Sequence, residues 1–398
     1  MYSTHRLLLL LLLVPLLPQS LPAIPAWARR YNMNCSGCHY PAVPRLNATG
    51  ILFKWAGYRM PDALGEKTDV QKIEDYLAVR AKMQYSVTRS DAAGVEESGI
   101  STPSTSLFLA GPFGKQFGGY VEFERLPGGA VDLNAEVTAT WGKESAFYGL
   151  RFGAGHLLYG GALAGFDRPT GIVAPLAMAG PTSSVVPFTF GGDASGAELF
   201  YVFDSKDRLS FRAMNSRQLT PGGGGELAPG KKVDLIFSNQ YMWDAKGSGI
   251  TALAYLGSFA GLDPALPDQN ATFTRVGLTA NKIYQNFEVL GGYVYSSDRD
   301  IPAAAAPGGR TSLNGTAWWL SGQYFWESVP LAVFTRYEYV RPDQGVADNA
   351  LQRWVVGGVM PVSLPENLRL ALDYVVDTPQ AAAGTRRQRI VFELMMAF

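Results

Sequence analysis

The sequence predicts an all-β fold: a 16-stranded transmembrane barrel of the outer-membrane type over residues 75–398, with a small N-terminal segment, residues 29–74, plugging or capping its lumen. Three observations carry that expectation. Apolar and polar side chains alternate in runs of about ten residues, as a wall between lipid and a wet interior demands. The connections between runs are brief on one side and mostly long on the other. Charged residues make up only 17% of 398, against roughly 25% in ordinary soluble domains, and no apolar run after the leader approaches the roughly 20 residues of a membrane helix.

The leader comes first. Arg6 supplies a positive start, Leu7 to Leu17 an apolar core too short to span a bilayer, and Ala26-Trp27-Ala28 a small-x-small cleavage pattern. Residues 1–28 therefore read as a secretory signal peptide, an uncleaved anchor being the alternative. The 34 basic residues balance 34 acidic ones, so no nucleic-acid partner is expected.

The strands follow. Leu77, Val79, Ala81, Met83, Tyr85 and Val87 share one face of the first, with Arg80, Lys82 and Gln84 on the other. Val131, Leu133, Val137 and Trp141 alternate with Asp132, Asn134, Glu136, Thr138 and Thr140, and Ile390, Phe392, Leu394, Met396 and Phe398 share a face at the chain end. Sixteen such runs begin near residues 76, 106, 116, 130, 146, 195, 207, 231, 249, 271, 286, 315, 331, 350, 366 and 386. WGKES, DSKD, DAKGS and ESVP are the brief turns, whereas SRQLTPGGGGELAPG and SDRDIPAAAAPGGRTS are long loops. Short periplasmic turns opposite long outer loops, with an even strand count, leave both chain ends on the periplasmic side. Alternation points Glu122, Glu124, Arg208, Arg212, Arg336, Glu338, Arg369 and Asp373 inward, and the insert near residues 158–194 is apolar enough to fold back into the lumen.

The N-terminal segment holds the only two cysteines, in Cys35-Ser-Gly-Cys38-His39. This is the c-type haem attachment pattern: thiols three apart can each form a thioether to one haem vinyl, and the adjacent imidazole lies beneath the ring as a ligand to the iron. Zinc wants four ligands, and beyond these three the chain after the leader offers only His156. A thioredoxin-type pair wants a βαβ setting, and a disulfide three residues long constrains little chain. For the sixth iron ligand Met60, 21 residues past His39, has room to loop over the ring, and His156, near the end of the fifth strand, is the alternative for a haem deep in the lumen. Met33 would need a tight reversal, and Met83 falls on the lipid face. So short a segment rarely folds alone, and a barrel this wide has a lumen its side chains cannot fill; each supplies what the other lacks.

On its ARRYNMNCSGCH stretch, the PRLNATGILFKWAGY that follows and the barrel, the chain resembles the fused monohaem cytochrome–porins of the outer membrane known from iron-oxidising bacteria. The resemblance implies an iron(II)-oxidising oxidoreductase of the outer membrane. It would take electrons from extracellular Fe(II) and pass them through one covalent haem c, on Cys35, Cys38 and His39, to a periplasmic cytochrome or other carrier. No iron-binding motif carries over position by position. Hard Fe(II) favours oxygen ligands, which makes Glu122, Glu124, Asp132 and Glu136 candidate contacts beside the simpler reading of plain lumen polarity. Two alternatives stay open: another extracellular donor, or a diffusion porin whose haem-bearing segment is a plug or sensor.

Overall fold

The computed structural model describes residues 26–40, 45–68, 70, 72–91, 96–155, 170–179, 182–186, 188–190, 192–216, 232–260, 262–263, 269–302, 305, 307–326, 328–329, 331–362, 368–380 and 384–397. Within them one antiparallel sheet closes on itself. Its strands are β1 (Leu77–Ser90), β2 (two pieces, Glu96–Ser101 and Thr105–Phe113), β3 (Phe117–Arg125), β4 (Val131–Lys143), β5 (Ala146–Gly155), β6 (Ala194–Phe203), β7 (Asp207–Ser216) and β8 (Asp234–Met242). The circuit continues through β9 (Gly249–Ala260), β10 (Asn270–Tyr284), β11 (Phe287–Arg299), β12 (Leu313–Trp326), β13 (Leu331–Arg341), β14 (Leu351–Val362), β15 (Leu368–Pro379) and β16 (Arg387–Ala397). β16 pairs with β1 from Arg80↔Ala397 to Ser90↔Arg387, so the sheet has no edge.

The two pieces of β2 both pair with β1, and the register slips by one residue between Gln84↔Ser101 and Ala81↔Thr105. Pro103 stands in that gap and has no N–H for the ladder, which is where a bulge is tolerated. This is the one strand the sequence pattern places only in part: the run near 106 is its second piece, and Glu96–Ser101 is added before it. The other fifteen begin within three residues of their expected starts. On the long-loop side the β3–β4 connection is short, a turn at Pro127–Gly129.

The outer face is apolar and carries aromatic rings in pairs beside the short turns: Phe113 and Phe117, Trp141 and Tyr148, Tyr201 and Phe203, Tyr241 and Trp243, Tyr284 and Phe287, Tyr324 and Trp326 are all exposed. Neighbouring rings touch, with centroids 5.8 Å apart for Trp141–Tyr148 and 4.6 Å for Tyr324–Trp326. A second group, Trp318, Tyr337, Tyr339 and Trp354, lies toward the long-loop ends. Two girdles flanking an apolar band are the signature of a lipid-embedded barrel, since amphipathic rings settle at the headgroup level. Phe398 lies outside the described residues.

Inside, seven of the eight predicted inward charges are buried, Glu122, Arg208, Arg212, Arg336, Glu338, Arg369 and Asp373, and Glu124 is half-buried. The lumen is filled from two directions. From above, the insert between β5 and β6 does fold back: Leu176, Met178, Val186, Phe188 and Phe190 pack against Tyr255, Phe273, Val294 and Trp319 of the wall. From the short-turn side comes the N-terminal segment, α1 (Ala26–Tyr31), a 3₁₀ turn (Cys35–Gly37) and α2 (Ala48–Trp55). Ile51, Trp55 and Ala56 pack on Phe147, Phe200, Val202 and Met242 beside the turns. The Tyr58 hydroxyl donates to Glu136 Oε1 at 2.5 Å, and Arg151 Nη2 donates to the Lys54 carbonyl at 2.9 Å.

One contact tolerates no side chain. Gly57, at φ +75°, presents its carbonyl to β3 so closely that a Cβ on Gly118 would stand 1.7 Å from it. Gly118→Ala must push the plug off the wall, a cost in the range of about 1–3 kcal/mol for overpacking. The expected result is a barrel that keeps its heat-modifiable migration on gels while residues 29–74 become cleavable by trypsin; equal protease resistance in both proteins would contradict the docking.

Candidate functional site

The CSGCH turn is built by its neighbours. The backbone N–H of His39 donates to the Cys35 carbonyl at 2.9 Å, and that of Asn47 to the Cys38 carbonyl at 3.0 Å. Asn47 Nδ2 donates to the Ser36 and Gly37 carbonyls at 3.1 Å, and Asn47 Oδ1 accepts from Gly50 N at 3.0 Å to cap α2. A Cβ on Gly50 would fall 2.2 Å from the Cys38 carbonyl oxygen, so only glycine lets α2 start against the turn. Asn47 and Gly50 together lock the two-cysteine loop onto a helix, as the N-cap preference of Asn allows.

His39 Nδ1 lies 3.0 Å from the Arg45 carbonyl. A carbonyl only accepts, so Nδ1 carries the proton and the lone pair sits on Nε2. That tautomer is the one an imidazole needs to ligate a metal through Nε2, its other ring nitrogen oriented by a backbone oxygen. The guanidinium of the same Arg45 pairs with the buried Glu288 of β11, which also accepts from Asn281 Nδ2 at 2.7 Å. The barrel wall thus holds the loop that holds His39.

A cavity of about 380 Å³ opens beside these residues, inside the volume range of small-molecule sites. Cys35, Cys38 and His39 line it together, with Met33 and Met60 on its walls and Phe108, Tyr120 and Met395 of the barrel closing it. The two cysteines are not bonded to each other. Burial, with a smaller contribution from Cys35, pushes the Cys38 thiol up. Two thiols, an imidazole in the right tautomer, thioethers and mostly apolar walls are a donor set that fits a c-type haem.

Of the sixth-ligand candidates, Met60 lines this cavity and packs against Phe53, Tyr58 and Tyr120. Met33 also lines it, with its sulfur 3.8 Å from Cys38 Sγ; the reversal that seemed to count against it is supplied by the 3₁₀ turn. Met83 is exposed on the lipid face as expected, and His156 lies outside the described residues. The carboxylates considered as Fe(II) contacts are engaged by side chains of the wall and the plug. Arg80 Nη2 lies 2.7 Å from Glu122 and 3.0 Å from Glu124, Glu136 takes the Tyr58 hydroxyl, and Asp132 accepts from Asn134 at 3.3 Å. Among the described residues no three His, Cys, Asp or Glu side chains converge to hold a metal ion. The cationic side of the cavity, Arg80 and Arg369, was hidden from the site motif because both lie on distant strands.

No protein-family model matches the sequence, and no curated protein matches it. Solved structures do. The chain is similar to the anion-selective porin from Comamonas acidovorans, with 11% identity and TM-score 0.58 over 81% of this chain and 98% of that one. The outer membrane channel DcaP of Acinetobacter baumannii aligns at 13% identity and TM-score 0.55, covering 81% and 96%. Salmonella typhi OmpF, in complex with daunomycin, gives 14%, 0.55, 81% and 97%. The likeness is one of fold: this is an all-β, 16-stranded closed barrel of the outer-membrane porin type.

The packing also bears on processing. Trp27, within the expected leader, stacks on Tyr58 with centroids 5.3 Å apart and meets Phe53 edge-on at 5.3 Å; aromatic pairs of this kind contribute roughly 0.5–1.5 kcal/mol each beyond burial. Cleavage after Ala28 would remove that ring, and the intact mass of the exported protein decides it: a chain beginning at Arg29 is the expected product, and a mass that retains Trp27 would place the cleavage site upstream.

Proposed function

We propose that this protein is an outer-membrane electron-transfer cytochrome with one covalent c-type haem on Cys35, Cys38 and His39. In this reading it accepts electrons from an extracellular reductant, Fe(II) by the family its haem segment resembles, and delivers them to a periplasmic carrier. What carries the reading is the cavity: both thiols, the His39 imidazole and two methionine thioethers open onto one mostly apolar space between plug and barrel. A haem supplies one-electron iron(III)/iron(II) chemistry when bound. The chain's own part is positional. Asn47 and Gly50 hold the cysteine loop, Arg45 sets the imidazole tautomer, and Phe53, Tyr58 and Tyr120 exclude water from one wall.

The cavity lies at the periplasmic mouth, since Ala397 and the start of β1 border it. From Arg80 to Ser90 β1 rises through ten residue steps, about 25 Å of height at ~3.3 Å per step and a ~40° tilt. Delivery to a periplasmic carrier is short on this arrangement, whereas electrons from outside must traverse a lumen packed with the insert and with Tyr255, Phe273 and Trp319.

Expression with a cytochrome c maturation system should give a haem band that survives denaturing gels, and Cys35→Ala with Cys38→Ala should abolish it. Anaerobic Fe(II) mixed with the ferric protein in stopped flow should reduce it; haem that stays ferric would sink Fe(II) as donor while leaving the cytochrome reading intact. For the sixth ligand, Met60→Leu should remove the methionine-to-iron charge-transfer band and Met33→Leu should leave it; the opposite pattern assigns Met33.

The second reading is a diffusion porin with a plug segment, and the fold likeness to porins favours it. Against it stand the two fillings of the lumen. Liposome swelling with small sugars separates the two: rates above protein-free vesicles support the porin.

A further inference from the structure

Among the described residues the cavity is lined by three cations, Lys54, Arg80 and Arg369, and by no carboxylate. The two arginines come from the wall in a fixed relation. Arg80 of β1 stands opposite Ala397, and Arg369 of β15 stands opposite Met395, so they flank β16 on its two sides. Two strand spacings of ~4.8 Å and a two-residue stagger put their Cα atoms about 12 Å apart on the lumenal face.

Each guanidinium is gripped from outside the cavity. Arg80 Nη2 donates to Glu122 at 2.7 Å, Glu124 at 3.0 Å and Ser106 Oγ at 2.8 Å, and its plane lies 5.0 Å over the Phe108 ring. Arg369 Nη2 donates to Glu393. These carboxylates do not line the cavity, so they fix the two side chains while the cavity itself meets cations. Arg80 Nε is buried and has no protein acceptor, a costly state for a charged donor unless a ligand supplies one.

We propose that Arg80 and Arg369 anchor the two carboxylates of a planar apolar dicarboxylate, the propionates of the haem, from the barrel wall, with Lys54 as a third cation on the plug. Planar guanidinium forks match carboxylate geometry. The plug would then hold the macrocycle covalently and the wall would hold its charged edge, so neither part completes the site alone. This proposal rests on the haem reading.

The test compares full-length haem-loaded wild type with Arg80→Gln, Arg369→Gln and Arg80→Lys. Arg353→Gln, an arginine paired with Asp377 that does not line the cavity, serves as control. Resonance Raman propionate bending bands and the midpoint potential against pH are the readouts. Each Gln variant should shift a propionate band and lower the potential, because an un-neutralised carboxylate favours ferric iron. The pH inflection should move upward, because the lost cation no longer holds the propionate ionised. Arg80→Lys should restore the potential but not the band, and the control should match wild type. Bands and inflection unchanged in both Gln variants would overturn the anchor. Where Arg80→Gln does not fold, Arg369→Gln, on another strand with another partner, decides. Failure of the haem reading looks different: wild type would carry no covalent haem before any substitution is made.

Discussion

A sixteen-stranded barrel encloses more space than its own side chains can fill, and that excess volume governs the rest of the architecture. Barrels of this size leave an aqueous channel unless something else occupies it. Here the chain supplies two occupants from its own sequence. The insert brings Phe188 and Phe190 onto Tyr255 and Phe273, and the N-terminal segment brings Trp55 onto Phe147 and Phe200. Each filler is too small to bury its apolar face alone, so barrel and fillers form one core. The cavity beside CSGCH is the gap that remains between them.

Charge inside the wall obeys the same economy of space. Glu198 lies 2.8 Å from Arg208 Nη2, 2.6 Å from Arg212 Nη2 and 3.4 Å from Arg151 Nη1, and Arg151 also lies 3.6 Å from Glu136. All five side chains are buried. Removing one partner from such a cluster costs on the order of 3–5 kcal/mol, because a buried charge is left uncompensated. The cluster is also what the plug touches: Lys54 accepts from Arg151, and Arg208 lies 5.9 Å over the Trp55 ring. Residues that in an open channel would meet water here bind the plug, which ties seating of the N-terminal segment to integrity of the wall charges.

The strands were legible because their physics is local. A pleated strand between lipid and lumen needs a period of two over its own length, and each turn announces itself in a few residues, as in GKES or DSKD. The exception is instructive. Glu96–Ser101 has no clear alternation of its own and is paired because β1 continues beside it past Pro103. The cofactor motif was equally local, three residues within five. The rest of the site was not: Arg80 and Arg369 are 289 positions apart in sequence and meet one cavity only because β16 closes the sheet between them. Met33, discounted on chain distance, lines the cavity because of the backbone turn at Cys35–Gly37.

The sequence by itself determined the barrel, its strand count, which charges face inward, and the spacing of Cys35, Cys38 and His39, since each is written along the chain. Tertiary structure decided what that loop faces. It put Glu122, Glu124 and Glu136 into pairs with Arg80, Arg151 and Tyr58, set the His39 tautomer through Arg45, and placed the cavity beside the short-turn end of the barrel. Those outcomes depend on sheet closure and on which side chains fill the shared lumen, and neither is a property of any one segment.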